Sequence, residues 1–499
     1  MSSTTTELPR SAPPPAASSA EGSGRWWALV VLAMAQLMVV LDATIVNIAL
    51  PTAQRDLGFD DASRQWVVTG YALAFGSLLL LGGRLSDFFG RKRMFLIGLI
   101  GFALASALGG AANGLEMLIV ARALQGAFGA ALAPAALSLL STTFTTPADR
   151  GKAFGIFGAI SGAGGAVGLL LGGVLTEYAS WRWCLYVNLL IAAIAVAGAL
   201  TKLRDEPVAR RNKLDIPGVI TAVGGLVGLV FGLGKAETDG WSAPITLIPI
   251  IAGVIVLIAF VVIETRVEHP LLPLRVVLDR NRGGSYASIG IAGAGMFGIF
   301  LFLTYYLTVF LGFTPIQTGL AFLPMLAAIM ISATTAGSIL TPKVGPRPLV
   351  PVGALIAAGG MAFMTRLDLN STYAANVLPG LLIIGLGLGL VFAPTQNAAT
   401  SGVEHRDAGV ASAMINTVQQ IGGSIGTALL SSFATTAATH YATSHQPSAL
   451  LAAQAQLASY HMVFWCSCGF FVLAAIVAAL LFRRGPLDLD PDAPLAMAH

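Results

Sequence analysis

Two residues of opposite charge lie inside long apolar stretches of this chain. Asp42 stands in "MVVLDATIVNIALP" and Arg122 in "LIVARALQGAFGAALAPAAL". An ionisable side chain at the centre of an apolar helix costs roughly 2.5–3.5 kcal/mol of insertion free energy. A carboxyl group there can bind and release a proton, because burial favours its neutral form and a nearby cation favours its ionised form. The two residues therefore indicate a proton-carrying pair.

The depth of each residue in its segment favours their pairing. At a rise of about 1.5 Å per residue, Asp42 lies roughly 13 Å from Pro51 and Arg122 roughly 9 Å from Glu116, each the outer end of its helix. We therefore expect Arg122 to tune Asp42, directly or through water and Gln125. The alternatives are structural: Asp42 capping a broken helix or anchoring its packing, and Arg122 donating to backbone carbonyls.

The composition places these residues in a membrane protein. Of 499 residues, 56% are hydrophobic and 10% charged, with a mean hydropathy of +0.79. Soluble domains are nearer one quarter charged. A hydrocarbon core about 30 Å thick requires roughly 20 apolar residues per helix. The chain has fourteen such segments, which predicts an all-α, polytopic fold. Its expected partners are lipid, protons and a small molecule, without nucleic acid, and we expect a monomer.

Positive charge orients the predicted helices. With the N-terminus in the cytoplasm, 22 of the 28 Lys and Arg residues lie on the cytoplasmic side and five near the outer side. Cytoplasmic loops of membrane proteins carry this excess, so both termini are expected inside. The helices group as six, two and six. The predicted regions are a disordered tail (1–25), a six-helix bundle (26–201), basic linkers with two extra helices (202–282), a second six-helix bundle (283–483) and a tail (484–499).

A short basic turn, "GGRLSDFFGRKR", follows the second segment, and "GSILTPKVGPRP" occupies the corresponding place in the later six. The alignment pairs Gly90 with Gly345, whereas Asp87 meets Pro342. One interpretation is a basic turn that obeys the charge rule. The other is a latch that must break when two halves rock, formed by Gly83, Asp87, Gly90, Arg91, Lys92 and Arg93.

Small residues and scattered polar residues complete the set of candidates. In "GIFGAISGAGGAVGLLLGG" small side chains permit close approach of another helix, and its candidate packing positions are Gly155, Gly164, Gly168, Gly172 and Gly173. Polar or aromatic residues on presumed inner helices are candidates for a substrate cavity, or for ordinary helix–helix hydrogen bonds: Asn47, Tyr71, Gln125, Tyr305, Tyr306, Gln396, Asn416 and Gln420. We find no nucleophile–base pair and no metal-ligand cluster, so no enzyme and no cofactor are expected.

The motifs "LDATIVNIALP", "GRLSDFFGRKR" and "LIVARALQG" resemble signatures of the major facilitator superfamily, in its fourteen-helix drug:proton antiporter branch. Matching segments extend from about residue 26 to 483. Two positions depart from the pattern, since Leu169 and Leu190 stand where the family usually has proline. The resemblance implies the major facilitator fold, with Asp42 and Arg122 in proton coupling.

The expected function is export of hydrophobic drug-like or antibiotic-like molecules across a bacterial plasma membrane, with the proton gradient as energy source. Protonation of Asp42 from outside would favour discharge of cargo, and deprotonation inside would reset the protein. Two alternatives remain at this point. One is proton-coupled transport of a single metabolite, and the other is a membrane receptor that has lost transport.

Overall fold

A computed structural model describes residues 19–60, 63–144, 147–203, 215–268, 270–403 and 408–485. In this part of the chain there are sixteen α-helices and two short π-helical segments, without any strand. An all-helical fold is what the near-continuous apolar composition predicts, because a helix satisfies its backbone hydrogen bonds internally within a bilayer.

The first six helices pack on one another and are called the N bundle. They are α1 (Ser19–Leu57), α2 (Gln65–Phe89), α3 (Arg91–Gly110), α4 (Leu115–Thr143), α5 (Pro147–Tyr178) and α6 (Trp183–Lys202). Two further helices, α7 (Ile216–Asp239) and α8 (Pro244–Glu264), pair with each other, and the short α9 (Leu274–Val277) follows them.

The remaining helices form a second group, called the C bundle. They are α10 (Arg280–Val309), α11 (Pro315–Thr335), α12 (Thr341–Val344), α13 (Pro346–Met364), α14 (Leu378–Thr400), α15 (Ala408–Ser444) and α16 (Leu451–Leu481). The π-helical segments are Ala336–Leu340, between α11 and α12, and Tyr373–Val377, before α14.

Local sequence explains where several helices begin. Thr314 caps α11 by accepting from the Gln317 amide, and Gln317 accepts from the Thr314 amide in return. Pro315 occupies the first helical position, where its fixed φ suits a helix and its missing N–H has no intrahelical partner to lose. Asp279 caps α10 and Asp215 caps α7 by accepting from backbone amides of the first turn, without the reciprocal bond. Short polar residues before apolar runs thus set these boundaries.

Twelve helices in the described residues are long and apolar enough to cross a membrane. The chain is therefore a multi-pass membrane protein. Two other long helices lie beside these twelve. The 32-residue α5 contributes a shorter apolar stretch, Ala163–Tyr178, and α15 has 37 residues.

The two bundles meet along two pairs of helices. α2 of the N bundle packs against α15, and α5 packs against α11. α7 lies against both α2 and α15, whereas α8 packs chiefly on α7. α8 has the highest hydropathy of the crossing helices, 3.1, and only 17% of its apolar window is buried. Such an apolar, largely uncovered helix suits contact with lipid.

Two glycines at corresponding positions end corresponding helices in the two bundles. Gly90 lies between α2 and α3 with φ 96°, and Gly345 lies between α12 and α13 with φ 75°. A positive φ is accessible to glycine at no steric cost. The weak repeat that pairs these two residues in the sequence is therefore accompanied by the same backbone turn in both bundles.

Glycines of α5 allow close contact with both bundles. Three of the five predicted packing positions face α1: Gly164, Gly168 and Gly172. A Cβ atom on Gly172 would lie 2.9 Å from Ile45 Cγ1, and one on Gly173 would lie 2.6 Å from Ile316 Cα of α11. The surroundings of Gly155 are outside the described residues.

The predicted tails differ from the structure where the two can be compared. Residues 19–25, expected to be disordered, form the first turns of α1. The segment has no proline after Pro15, so a helix that starts in the adjoining apolar run can extend backward through it. Residues 1–18, 486–499 and the basic loop 204–214 lie outside the described residues.

Candidate functional site

Asp42 is wholly buried in the middle of α1 and forms an ion pair with Arg122 of α4. Its relative exposure is 0% and that of Arg122 is 2%. The Arg122 Nη1 atom lies 2.5 Å from Asp42 Oδ2. Two opposite charges can be held at such a site only when they neutralise each other and satisfy their remaining hydrogen bonds. The pairing expected from their depths is thus present in the structure.

The second oxygen of Asp42 accepts two amide hydrogen bonds. Gln125 Nε2 and Asn188 Nδ2 each donate to Asp42 Oδ1 at 2.8 Å. The same two nitrogens also donate to Ser106 Oγ, at 2.6 Å and 2.8 Å. Together with Arg122, these donors stabilise the ionised carboxylate. They come from α4 and α6, and Ser106 of α3 accepts from the two amides, so α1, α3, α4 and α6 of one bundle meet around this carboxylate.

Arg122 also joins α4 to α2. Its Nε donates to the carbonyl of Val67 at 3.3 Å, and its guanidinium carbon lies 4.3 Å from the centre of the Tyr71 ring. Its Nη1 donates to Gln125 Oε1 at 3.0 Å. The expected pairing and the structural alternative for Arg122 coexist here, because Arg122 bonds Asp42 and also a backbone carbonyl.

A small cavity of about 20 Å³ lies between the bundles and beside Arg122. Its walls are Ala43, Val46, Asn47, Val68, Tyr71 and Arg122 from the N bundle, with Phe297 and Gln420 from the C bundle. A polar space of this size accommodates one water molecule. The Tyr71 hydroxyl and Gln420 Oε1 are buried and have no hydrogen-bond partner among the described residues. The wall therefore carries polar groups that are available to water or to part of a ligand.

The other candidate cavity residues occupy different places. Gln125 belongs to the shell of Asp42. Tyr306 lies in the core of the C bundle, where its hydroxyl donates to the Asp368 carbonyl. Gln396 is half-buried on α14, and Asn416 is exposed on α15, one turn before Gln420. Of the eight candidates, the cavity wall includes Asn47, Tyr71 and Gln420.

Tyr305 belongs to a set of contacts that join the bundles at the end where α1 finishes and α2 starts. Its hydroxyl donates to Gln54 Oε1 at 2.5 Å, and the Arg64 guanidinium lies 4.0 Å from its ring centre. Nearby, the amide of Ile316 donates to Glu177 Oε2 at 3.2 Å. α1 and α2 thereby contact α10, and α5 contacts α11. In this structure the bundles are closed against each other at this end.

The proposed latch lies at the opposite end of α2. Gly90 provides the sharp turn, and a Cβ atom on Gly83 would lie 3.8 Å from Pro134 Cβ of α4. Arg84, in the same segment, donates to the Pro270 carbonyl at 2.7 Å, which ties α2 to the linker after α8. The side chain of Asp87 lies outside the described residues, and so do its contacts. The bases Arg91, Lys92 and Arg93 begin α3.

Ser106 and Asn188 are the site residues that sequence reasoning missed. Both are wholly buried polar residues within apolar helices. Asn188 stands in "WRWCLYVNLLIA", two residues before Leu190, which the structure leaves 64% exposed. A polar side chain in an apolar helix usually faces the bundle interior. That rule applied to Asn188 would have identified it as a candidate.

Neither of the two positions that depart from the antiporter pattern is among the side chains that bond Asp42. Leu169 is buried where α5 meets α11, and a Cβ atom on Gly319 would lie 2.5 Å from its carbonyl oxygen. Among the residues that the structure describes, no three His, Cys, Asp or Glu are placed to hold a metal ion.

These features define a multi-pass helical membrane protein with a buried charge pair next to the interface of two bundles. The sequence model of the Major Facilitator Superfamily matches residues 32–427. The chain belongs to the major facilitator superfamily.

Two relatives and one solved structure agree with this membership. The puromycin resistance protein of Streptomyces alboniger is 48% identical over 475 residues, 94% of each chain. The cephamycin export protein of Amycolatopsis lactamdurans is 40% identical over 81% of this chain and 84% of that one. A bacterial homologue of the human lysosomal transporter Spinster, in an inward-facing and unoccupied conformation, has the same fold. Its TM-score is 0.66 and its identity 16%, over 92% of this chain and 97% of the other.

Proposed function

We propose that this protein is a proton-coupled antiporter that exports antibiotic-like small molecules from a bacterial cell. In this proposal it spans the plasma membrane fourteen times as six, two and six helices, works as a monomer and keeps both termini in the cytoplasm. Relatives named for puromycin resistance and cephamycin export support antibiotic efflux. The lengths of α5 and α15, 32 and 37 residues, support the count of fourteen.

The observation that carries the proposal is the buried Asp42–Arg122 pair beside a cavity shared by both bundles. Arg122 lines the cavity and also holds Asp42, so it lies between the carboxylate and the space that a substrate or water can reach. Neutralising Asp42 with a proton leaves Arg122 without its anion. An uncompensated buried charge is costly, so Arg122 then turns toward water or cargo in the cavity.

Arg122 contacts α2, and α2 lies at the interface between the bundles, so a movement of Arg122 would change contacts at that interface. Among the described residues, all side chains that bond Asp42 belong to the N bundle, so rocking one bundle against the other leaves those bonds intact. Arg122 however bonds the carbonyl of Val67 and covers Tyr71, both on α2. α2 packs on α15, where a Cβ atom on Gly76 would lie 3.0 Å from Gln420 Cβ. We infer that α2 transmits the protonation state to the interface.

In this proposal the predicted orientation assigns a side of the membrane to each end of the bundles. With the termini in the cytoplasm, the contacts of Tyr305 with Gln54 and Arg64 close the outer side. These contacts must open for cargo to leave. A proton that enters from outside then binds Asp42 and favours discharge of cargo, and its release inside restores the ion pair with Arg122.

A second candidate is export of one natural product rather than many drugs. It is favoured by the relatives' names, since each refers to a single antibiotic or antibiotic class. Both candidates use the same proton site. Transport of puromycin, a cephamycin and unrelated cationic dyes would separate them, because a narrow exporter would move one and leave the others.

The test of proton coupling uses liposomes that contain the protein and a pH-sensitive dye. Puromycin and a cephamycin are added as probes under an imposed proton gradient, and proton flux is compared between wild type and Asp42→Asn. We expect drug-dependent proton movement to be lost in the variant while drug binding persists.

The matched control is Asp56→Asn, a change of the same chemistry on the same helix. Asp56 is a half-exposed residue that pairs with Arg182 at 3.3 Å and accepts from Trp181 Nε1. Surface ion pairs contribute about 0–1 kcal/mol, so this variant should keep its proton flux. Flux that survives in Asp42→Asn would place the coupling carboxylate elsewhere and end the proposal.

A further inference from the structure

The shell around Asp42 uses every amide hydrogen of two side chains. Gln125 Nε2 and Asn188 Nδ2 each have two hydrogens, and each nitrogen donates one to Asp42 Oδ1 and one to Ser106 Oγ. Asp42 Oδ1 therefore faces two donors. This arrangement suits a carboxylate, whereas a carboxylic acid with its proton on Oδ1 would bring three donors together.

The two side-chain amides differ in what their oxygen atoms contact. Gln125 Oε1 accepts from Arg122 Nη1 at 3.0 Å, so turning this amide over would break a charge-assisted hydrogen bond. Asn188 Oδ1 is buried and has no hydrogen-bond partner among the described residues. Turning the Asn188 amide over breaks no bond made by its oxygen. Of the two amides, Asn188 is therefore the one free to reverse.

Ser106 suits either orientation of that amide. A hydroxyl group can accept two hydrogen bonds and donate one, and its hydrogen rotates to suit its neighbours. With its NH2 group toward Asp42, Asn188 donates to Ser106 Oγ, which accepts from both amides. With Asn188 reversed, its oxygen takes the position of its nitrogen, 2.8 Å from Ser106 Oγ and 2.8 Å from Asp42 Oδ1. That oxygen can then accept from the Ser106 hydroxyl and from a protonated Asp42.

The geometry points to Asn188 as the positioning residue whose side-chain amide changes orientation with the protonation state of Asp42. In the ionised state its NH2 group donates to Asp42 Oδ1. When a proton from solvent binds Oδ1, the amide reverses and its oxygen accepts that proton in a hydrogen bond. Asn188 thus faces Asp42 Oδ1 with a donor in one state and an acceptor in the other, while its opposite amide atom has no partner among the described residues in either state. Gln125 stays with Arg122. This inference rests on the proposed protonation of Asp42 and adds the group that accommodates it.

Infrared difference spectroscopy tests the switch directly on the full-length protein in lipid, without any substrate. The spectrum at acid pH minus that at alkaline pH should contain a carboxylic C=O band that is lost in Asp42→Asn. It should also contain a pair of side-chain amide bands that shift when the protein carries 13C-labelled asparagine.

The variants are Asn188→Leu, which can neither donate nor accept, and Asn188→Ser, whose hydroxyl can do both. In Asn188→Leu we expect the amide bands to disappear and the carboxylic C=O band to move to higher frequency. The C=O band moves because protonated Asp42 loses the oxygen that accepts its proton in a hydrogen bond. Asn188→Ser, whose hydroxyl can accept that bond, should restore most of the original band frequency and also guards against a folding defect in the leucine variant.

The outcomes separate this inference from the proposed function. Amide bands that persist in Asn188→Leu, or a carboxylic band whose frequency does not move, would overturn the role of Asn188 while leaving Asp42 as the proton site. A carboxylic band that survives in Asp42→Asn would overturn the protonation of Asp42 itself, and the switch with it. Loss of the amide bands together with the higher carboxylic frequency would support both.

Discussion

Removing the cation from the buried pair should make the stability of this protein depend on pH. In Arg122→Met, an apolar chain of similar length replaces the guanidinium, and Asp42 remains at 0% exposure without its counter-ion. The folded variant has two ways to tolerate this. It can keep an isolated buried charge, or it can bind a proton on Asp42.

The loss of stability is set by whichever of these two states, the buried charge or the protonated carboxyl, costs less free energy. Breaking a buried ion pair by removing one partner costs about 3–5 kcal/mol. Protonating an ordinary aspartate, of pKa about 3.9, at pH 7 costs roughly 4 kcal/mol, at about 1.36 kcal/mol per pH unit. We therefore expect a loss of about 4 kcal/mol at pH 7 and about 1.5 kcal/mol at pH 5 from the charge alone. The lost bond to Val67 and the lost contact with Tyr71 add about 1–2 kcal/mol at any pH.

The sign of the pH dependence is fixed by proton binding. The folded variant holds a proton on Asp42 that the unfolded chain releases above about pH 4, so the folded state binds more protons. Stability then falls as the pH rises, by linkage. The assay is unfolding of the protein in mixed micelles by increasing mole fractions of dodecyl sulfate, followed by tryptophan fluorescence at several pH values.

The double variant Asp42→Asn/Arg122→Met provides the control. It has no carboxylate left without a counter-ion, so its stability should not depend on pH in this way. Only the smaller loss of stability, which is the same at every pH, should remain. A single variant whose loss is the same at pH 5 and pH 7 would refute the reasoning. So would a double variant that is no more stable at pH 7 than the single one.

Two further predictions concern the closed end of the bundles. Gly173→Ala should hinder closure, because the added Cβ would lie 2.6 Å from Ile316 Cα. Cysteines introduced into the cavity should then react faster with thiol reagents added from outside. The control is Gly165→Ala on the same helix, where a Cβ would meet nothing within 4 Å, and cysteines in that variant should react at the wild-type rate. Tyr305→Phe removes the bond to Gln54 but keeps the ring, so we expect a shift toward the open state of about 0.5–1.5 kcal/mol, and unchanged distances between spin labels across that end would contradict it.

The charge pair was predictable from the sequence because depth alone was enough to find it. Asp42 and Arg122 lie in apolar segments, and helical rise places both at similar levels, so their pairing required no knowledge of how the helices are rotated. The oxygens and nitrogens that complete the shell do require it. Asn188 and Ser106 lie on α6 and α3, and only the packing of those helices turns both side chains toward Asp42.

The residues that line the cavity were less predictable, because they too depend on how each helix is rotated about its axis. Tyr305 and Tyr306 are adjacent, so a helix turns their side chains roughly 100° apart. One reaches Gln54 in the other bundle, and the other reaches the Asp368 carbonyl in its own. Polarity and an apolar context are the same for both residues. Which of them faces a cavity depends on contacts between distant segments, and a single sequence does not record those contacts.

The proton shell and the cavity wall are divided unequally between the bundles, and this division bears on how such proteins diversify. The shell of Asp42 comes entirely from the N bundle, whereas Phe297 and Gln420 of the C bundle contribute only to the cavity. Mutations at those two positions alter what the cavity accepts without removing a hydrogen bond from Asp42. In the proposed exporter, a change of cargo can therefore arise through the C bundle while the proton site in the N bundle is inherited unchanged.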